Sequence, residues 1–284
     1  MNQAEKDYSG LILQELNYNS YLRVPELLGL QRVVSDPPHH DEMFFIVIHQ
    51  SFELWFKEAL HETDLLVQHL RSGSASKSLK VIKRINAIFQ CLAQQIQLLH
   101  TLTPVEFAGF RDKLFPASGF QSVQFREVEF AYGLRDRFFL KFFEGNDFAM
   151  ERLLKRLGEP SVYDEFLACL HRWGIPVPEA VLARDVEKPY EIDPELVNVL
   201  RDVYLKPEDD FHLVLLFEAL LDFDTLFSQW RATHVLMVSR TIGGQVGTGG
   251  SSGREFLESR LPYRFFPELW EVRNAIWQEM GGKP

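Results

Sequence analysis

The sequence has little of several features that would indicate particular classes of protein. It has two cysteines, Cys91 and Cys169, and neither belongs to a CxxC pair, which argues against a disulfide framework. No apolar run reaches the ~18 residues that a membrane span needs, and the first residues lack the charged and apolar regions of a signal peptide. These absences predict a cytoplasmic protein without a membrane-spanning segment.

Excess positive charge and the common metal motifs are also missing. Thirty Lys and Arg residues stand against forty Asp and Glu residues, and no basic patch interleaved with aromatics occurs, which argues against nucleic acid as a partner. HExxH is absent, and the Glu58-x-x-His61 half-motif of di-iron bundles has no second copy. Phenylalanine, in contrast, is abundant, with 24 residues. Such side chains are suited to a deep apolar cavity or an oligomer interface.

The hydrophobic pattern predicts an all-α protein formed by one domain over residues 1–284. Apolar residues recur at three- and four-residue intervals in two long stretches, about 38–70 and 207–242, and convincing period-two strands are absent. We expect Ser35 or Asp36 to cap the first of these helices. Shorter helices are predicted at about 78–102, 104–115, 123–144, 147–157, 161–173, 254–260 and 266–280, with another beginning at Asp193.

Each long helix carries a histidine on its apolar face. His49 lies four residues after Phe45 and three before Phe52, and His234 lies four after Trp230 and three before Met237. A single such histidine is more often a core residue satisfied by a carbonyl or a water. Two of them allow a planar apolar cofactor between the helices, with haem as the simplest case, beside the alternative of two structural histidines.

Two further stretches could bind a charged group. Phe107 and Arg111 are one helical turn apart, an arrangement suited to a carboxylate on an aromatic molecule, although an exposed arginine in the last turn of a helix is an equal alternative. The glycine-rich stretch 243–253 offers many backbone N–H groups, or is a plain linker. It is not a nucleotide-binding motif, because no Lys follows its glycines.

Several longer motifs occur in one order along almost the whole chain: YNSYLR at 18–23, HHDEMFFIVIHQSFELWFK at 39–57, LTPVEFAGFRDKL at 102–114, SGFQS at 118–122, SQWRATH at 228–234, GTGGSSG at 247–253 and FFPELWEVR at 265–273. With these motifs the chain resembles the tryptophan 2,3-dioxygenase family. The resemblance implies an enzyme that uses ferrous haem b to insert dioxygen across the indole 2,3 bond of L-tryptophan. The product would be N-formyl-L-kynurenine, in tryptophan catabolism by the kynurenine pathway.

The resemblance also implies roles for individual residues. His234 matches the proximal ligand of the haem iron, with Trp230 packed beside it, and His49 matches the distal histidine near the indole N–H. Arg111 and Thr248 match the residues that hold the carboxylate and ammonium groups of the substrate. Further matches to the substrate pocket are Phe45, Phe107, Leu114, Ser118 and Gly119, of which Ser118 also lies beside the haem.

The resemblance further implies an assembly. The family is homotetrameric, and residues 1–24, with Tyr18, Tyr21 and Leu22, match a segment that completes the pocket of a neighbouring subunit. Some relatives act as monooxygenases on modified indoles, so a haem monooxygenase or peroxygenase of a substituted indole stays an alternative. A non-enzymatic haem-binding helical protein is the alternative from another class.

Overall fold

The computed structural model describes residues 16–206, 211–245 and 254–281, and all regular elements within these ranges are helices, which confirms the predicted all-α class. The α-helices are α1 (Tyr18–Leu22), α2 (Val24–Leu28), α3 (His40–Arg71), α4 (Ala75–Gln95), α5 (Pro104–Arg111), α6 (Val123–Ala131), α7 (Asp147–Gly158), α8 (Val162–Arg172), α9 (Glu179–Leu182), α10 (Pro194–Leu205), α11 (Phe211–Ile242), α12 (Arg254–Ser259) and α13 (Pro267–Glu279). Short 3₁₀ helices cover Ile96–Thr101, Gly119–Gln121 and Arg137–Phe143.

The long helix α3 begins later than the sequence predicted. Its N-cap is His39, whose Nδ1 accepts a hydrogen bond from the Asp41 N–H at 3.3 Å, so the expected cap at Ser35 or Asp36 is wrong. The Ser35 hydroxyl instead accepts the His39 N–H at 2.8 Å and donates to the Glu42 carboxylate. The segment before the helix is therefore folded back onto its first turn.

One predicted helix is broken in the structure. The pattern over 123–144 indicated a single helix, but α6 ends at Ala131 and a separate 3₁₀ helix covers Arg137–Phe143. Gly133 has φ +105°, a conformation that residues with a side chain rarely adopt, and it ends the helix as a C-terminal glycine does. The hydrophobic periodicity of the sequence therefore continues across the boundary between two separate helices.

The two long helices pack on a common neighbour. Both α3 and α11 pack against α4, and α3 also packs on α6 and α8. The long helices approach each other through the rings of Phe52 and Trp230, whose centroids are 6.4 Å apart. The apolar faces of α3 and α11 thus meet where Phe52 contacts Trp230, and α4 packs against both helices.

A buried carboxylate fixes α11 to the C-terminal part of the fold. Asp224 accepts hydrogen bonds from the backbone N–H groups of Phe265 and Phe266 at 2.9 and 3.3 Å and from the Trp270 indole N–H at 2.9 Å. Burial raises the pKa of this carboxyl, against the three donors. Across the described ranges, no helix has the length and apolar content that crossing a membrane would require.

Candidate active site

A row of aromatic rings joins the histidines of the two long helices. On α3 the ring centroids of Phe45 and His49 are 4.1 Å apart, and those of His49 and Phe52 are 6.0 Å apart. On α11 the rings of Trp230 and His234 are 5.3 Å apart, and Phe52 meets Trp230 across the gap. The structure therefore brings His49 and His234 to the same aromatic surface, one from each helix.

The His49 ring has a defined tautomer. Its Nδ1 lies 2.7 Å from the carbonyl oxygen of Phe45, and because a carbonyl can only accept, Nδ1 carries the proton. The residue is exposed, yet lost hydration lowers the pKa of His49 below its usual range, against the opposing effects of the Phe45 carbonyl and the Glu53 charge. At neutral pH the imidazole is neutral, and its Nε2 presents a lone pair.

The His234 ring is held differently. It is half-buried, and in residues 16–206, 211–245 and 254–281 no group forms a hydrogen bond with either ring nitrogen. Lost hydration, followed by the charge of His49, lowers the pKa of His234 to about 4. A neutral imidazole with an uncommitted lone pair is the form that coordinates a transition metal.

Helix α5 forms the next wall of the site. Thr103 caps it by accepting the Glu106 N–H at 3.4 Å, and the Glu106 carboxylate accepts the Thr103 N–H at 2.7 Å, which confirms the predicted helix start. The Phe107 ring lies 5.6 Å from the Phe45 ring, and Arg111 is the last residue of the helix. The predicted pair Phe107 and Arg111 therefore lies beside the row of rings.

A glycine allows α5 to pack closely against the start of α3. A side-chain carbon at Gly109 would lie 2.5 Å from Nε2 of His39, the residue that caps α3. Phe110 is buried in the same contact, with its ring 5.4 Å from the His39 ring and 5.6 Å from the Phe45 ring. Nothing in the sequence pattern indicated that Gly109 is required for this close approach.

A cleft of about 430 Å³ opens between α5 and the end of α11. Phe107 and Arg111 line it on one side, and Thr241 and Gly243 line it on the other. The glycine-rich loop continues from this second side, and the predicted substrate residue Thr248 lies outside the described residues. The cleft therefore joins the predicted carboxylate-binding arginine to the start of the predicted loop.

The predicted residues Ser118 and Gly119 begin a short capped turn. The Ser118 hydroxyl accepts the Phe120 N–H at 3.3 Å, and the Gln121 side chain accepts the Ser118 N–H at 3.0 Å. The Phe120 ring lies 5.1 Å from the ring of Phe256, which is in α12 just beyond the glycine-rich stretch. Leu114, also predicted to line the pocket, is half-buried in the connection from α5 to this turn.

The N-terminal residues of the predicted site are not part of this arrangement within one chain. Tyr18 and Tyr21 are each 73% exposed, and Leu22 is 44% exposed. In the described residues no ring contact joins either tyrosine to Phe45 or His49. A single chain therefore leaves these three apolar side chains on its surface.

Buried donors next to the aromatic row are suited to a cofactor with negative groups. The Nε1 of Trp230 and the Nε of Arg126 are buried and have no hydrogen-bond partner among the described residues. The Arg126 guanidinium lies 4.6 Å from the Phe125 ring centre, and that ring lies 5.1 Å from Trp230. An apolar surface beside unpaired donors fits a planar macrocycle that carries carboxylates.

The charges around Arg126 support the same fit. Three buried arginines, Arg126, Arg231 and Arg260, form ion pairs with only two carboxylates, those of Glu129 and Asp136. The Nε and Nη2 atoms of Arg260 also have no hydrogen-bond partner among the described residues. The surplus positive charge favours an anionic group nearby. The sequence pattern did not indicate this cluster, because charged residues at helical spacing ordinarily indicate a solvated face.

Comparison of the sequence with known proteins identifies its family. The sequence profile described as tryptophan 2,3-dioxygenase matches residues 2–160 and 155–276. A protein named tryptophan 2,3-dioxygenase from Arthrobacter sp. (strain FB24) is 45% identical, with the alignment covering 97% of each chain. The chain belongs to the tryptophan 2,3-dioxygenase family.

Other members of the tryptophan 2,3-dioxygenase family align over similar lengths. The protein of that name from Saccharopolyspora erythraea is 43% identical over 96% of this chain and 97% of its own length. The one from Myxococcus xanthus is 44% identical over 91% of this chain and 89% of its own length. The similarity to these tryptophan 2,3-dioxygenases therefore extends over the segments that form both long helices and α5, and it confirms the resemblance inferred from the motifs.

Proposed function

We propose that this chain is a haem-dependent tryptophan 2,3-dioxygenase that adds both atoms of dioxygen across the indole 2,3 bond of L-tryptophan, giving N-formyl-L-kynurenine. The observation that carries the proposal is the pair of neutral histidines, His49 and His234, on one aromatic row in a member of this family. When bound, ferrous haem b supplies the iron at which dioxygen is activated. The chain supplies the pocket, the substrate anchors and the exclusion of water.

His234 is the proposed ligand of the haem iron. Its low pKa keeps a lone pair available at neutral pH, and its ring nitrogens are not engaged by other described residues. Trp230 and Phe125 present apolar surface to the macrocycle. The unpaired donors of Arg126 and Arg260 are suited to its carboxylates.

His49 and Phe45 are proposed to hold the indole. Since Nδ1 of His49 donates to the Phe45 carbonyl, Nε2 can accept a hydrogen bond from the indole N–H. The Phe45 ring, 4.1 Å from the His49 ring, offers a flat apolar face to the substrate ring. Together they orient the reacting carbon atoms and keep water from them.

The amino-acid end of the substrate is assigned to the cleft between α5 and the end of α11. Arg111 is proposed to pair with the carboxylate through its planar fork, and Thr248 to assist from the glycine-rich loop. Phe107 has no hydroxyl, so it contributes an apolar wall there. Leu114, Ser118 and Gly119 complete the proposed pocket on the side of the capped turn.

Assembly is proposed to complete the site. Tyr18, Tyr21 and Leu22 expose apolar surface that one chain leaves uncovered, as expected of a segment that packs into the pocket of a neighbouring subunit. We propose a homotetramer in the cytoplasm, with each chain forming one domain.

The test is the product made under isotopic dioxygen. The purified chain is loaded with haem, reduced, and given L-tryptophan under ¹⁸O₂, and the product is analysed by mass spectrometry. The proposal expects N-formylkynurenine that carries two ¹⁸O atoms and a Soret band from stoichiometric haem. A product with one labelled atom would show a monooxygenase, and no turnover despite full haem content would show a binding protein; either result overturns the proposal.

A further inference from the structure

Glu53 connects the helix of His49 to a segment far along the chain. It lies one turn after His49 on α3, and the Ser122 hydroxyl donates to its Oε1 at 2.5 Å. The side-chain amide of Gln124 donates to Glu53 Oε2 at 2.8 Å and to the Glu53 backbone carbonyl at 2.9 Å. Both N–H groups of the Gln124 side chain therefore donate to Glu53.

The bonded segment is continuous with the Ser118–Gly119 turn. The Ser122 N–H donates to the Gly119 carbonyl at 3.2 Å, and the Gln121 N–H donates to the Ser118 carbonyl at 2.9 Å. The Ser122 hydroxyl also accepts the Phe125 N–H at 3.2 Å and so caps α6. Because the turn and the helix start are closed by these bonds, a restraint at Ser122 also restrains residues 118 and 119.

We infer that Glu53 is a positioning residue that sets the separation between His49 and the Ser118–Gly119 turn, and thereby the width of the substrate and haem pocket. The inference rests on the proposed function, which assigns both of those places to the pocket. A carboxylate suits the position, because its two oxygens and the helix carbonyl accept three donors from Ser122 and Gln124. Its negative charge also opposes the lowering of the His49 pKa.

Hydrogen–deuterium exchange tests the connection itself. In the haem-loaded full chain, Glu53→Ala should speed amide exchange over residues 117–125 by about tenfold, because the two hydrogen bonds to the carboxylate are lost and only the bond from Gln124 to the backbone carbonyl remains. Glu53→Gln can still form hydrogen bonds with Ser122 and Gln124, so its amide exchange over these residues should remain near that of the wild type. Glu58→Ala is the matched control, since Glu58 is on the same helix without a hydrogen bond to a described residue. Unchanged exchange in Glu53→Ala overturns the inference, whether or not the wild type turns over.

Kinetics per bound haem separate a positioning role from a structural one. Glu53→Ala should lower kcat/KM for tryptophan by about 10- to 100-fold, with most of the loss restored in Glu53→Gln. Gln124 shares one of its two bonds with the Glu53 carboxylate and makes the other to the backbone, so the loss in Glu53→Ala with Gln124→Ala should be smaller than the product of the two single losses. Altered exchange with unchanged kcat/KM, or losses that multiply in the double variant, would overturn the positioning role.

Two further measurements keep the test decisive. If the wild type forms no N-formylkynurenine, the proposed function fails; the inference is then judged from the tryptophan Kd, measured by the Soret change of the ferric protein. That Kd should rise in Glu53→Ala and stay unchanged in Glu58→Ala, and an equal Kd in both overturns the inference. If Glu53→Ala does not hold haem, Gln124→Ala, which removes two of the three bonds and keeps the carboxylate, replaces it under the same criteria.

Discussion

Helices α3 and α11 carry the same local pattern but hold their histidines in different ways. Each places a histidine four residues after an aromatic residue, Phe45 before His49 and Trp230 before His234. On α3 the imidazole bonds the carbonyl one turn back, whereas on α11 the ring has no such bond among the described residues. His49 is exposed, while His234 is half-buried and lost hydration lowers its pKa to about 4.

This difference separates two chemical roles that the sequence pattern does not distinguish. A ring whose Nδ1 is committed presents one oriented acceptor, which suits a hydrogen bond with a substrate N–H. A half-buried neutral ring without a hydrogen-bond partner among the described residues is suited to a metal, because coordination compensates for the hydrogen bonds it lacks. The assignment of His49 to the substrate and His234 to the iron follows from these surroundings.

The largest expected effect is at His234. His234→Ala should abolish stable haem binding and turnover, because the proposed iron ligand is removed. The Soret absorbance per chain after purification with excess haem measures this. His212→Ala, an exposed histidine on the same helix, is the matched control and should keep both. Full haem content and turnover in His234→Ala would remove the distinction between the two histidines.

The next effect is expected at Arg111, in the wall beside the two helices. Arg111→Ala should raise the KM for tryptophan by about 10- to 100-fold, since a charge-assisted hydrogen bond contributes ~1.5–3 kcal/mol. Haem content should not change. The KM of Arg111→Lys should lie between those of the wild type and Arg111→Ala, because lysine keeps the charge and loses the planar fork. Steady-state kinetics decide this, with exposed Lys113→Ala as control; an unchanged KM in Arg111→Ala contradicts the carboxylate role.

A smaller loss is expected at His49. His49→Ala should retain the Soret band and lower kcat/KM for tryptophan by about tenfold, the effect of one hydrogen bond to the substrate. Comparison with 1-methyltryptophan sharpens the test, because that substrate has no indole N–H to donate. With 1-methyltryptophan, kcat/KM should therefore differ little between the wild type and His49→Ala. A large difference that persists with the methylated substrate would show that His49 acts in some other way.

The smallest effect concerns pH. The neutral form of His49 is the acceptor, so activity is present above its pKa and is lost as pH falls through that value. Because lost hydration lowers that pKa, against the opposing effects of the Phe45 carbonyl and the Glu53 charge, kcat/KM should hold below pH ~6.5, the ordinary histidine value. The acid limb should disappear in His49→Ala. A limb at or above pH ~6.5 that survives this change contradicts the assignment.

Local sequence signals predicted most of the helices. Thr103, Pro104 and Glu106 mark the start of α5, and Asp193 caps α10 as expected. One error arose because hydrophobic periodicity continues past the end of α6 at Gly133, and another because a cap candidate makes different contacts. Ser35 bonds Glu42 and His39 instead of capping α3.

The candidate site divides in the same way. The periodic spacing located His49 and His234 on apolar faces, and the motifs identified the family. Glu53, Arg126 and Gly109 were not found, because their roles depend on partners distant in the chain: Glu53 bonds residues 69 and 71 positions away. No local pattern distinguishes such a residue from a solvated one.

By itself, the sequence determined that the chain is helical, where its two long helices lie, and to which family it belongs, because periodicity, caps and motifs are local properties of the chain. Tertiary structure alone decided how far His49 and His234 are removed from water, which lowers the pKa of each. It also decided that α3 and α11 meet at Phe52 and Trp230 with α4 against both. Those properties arise from burial and from contacts between distant segments, which exist only once the chain has packed.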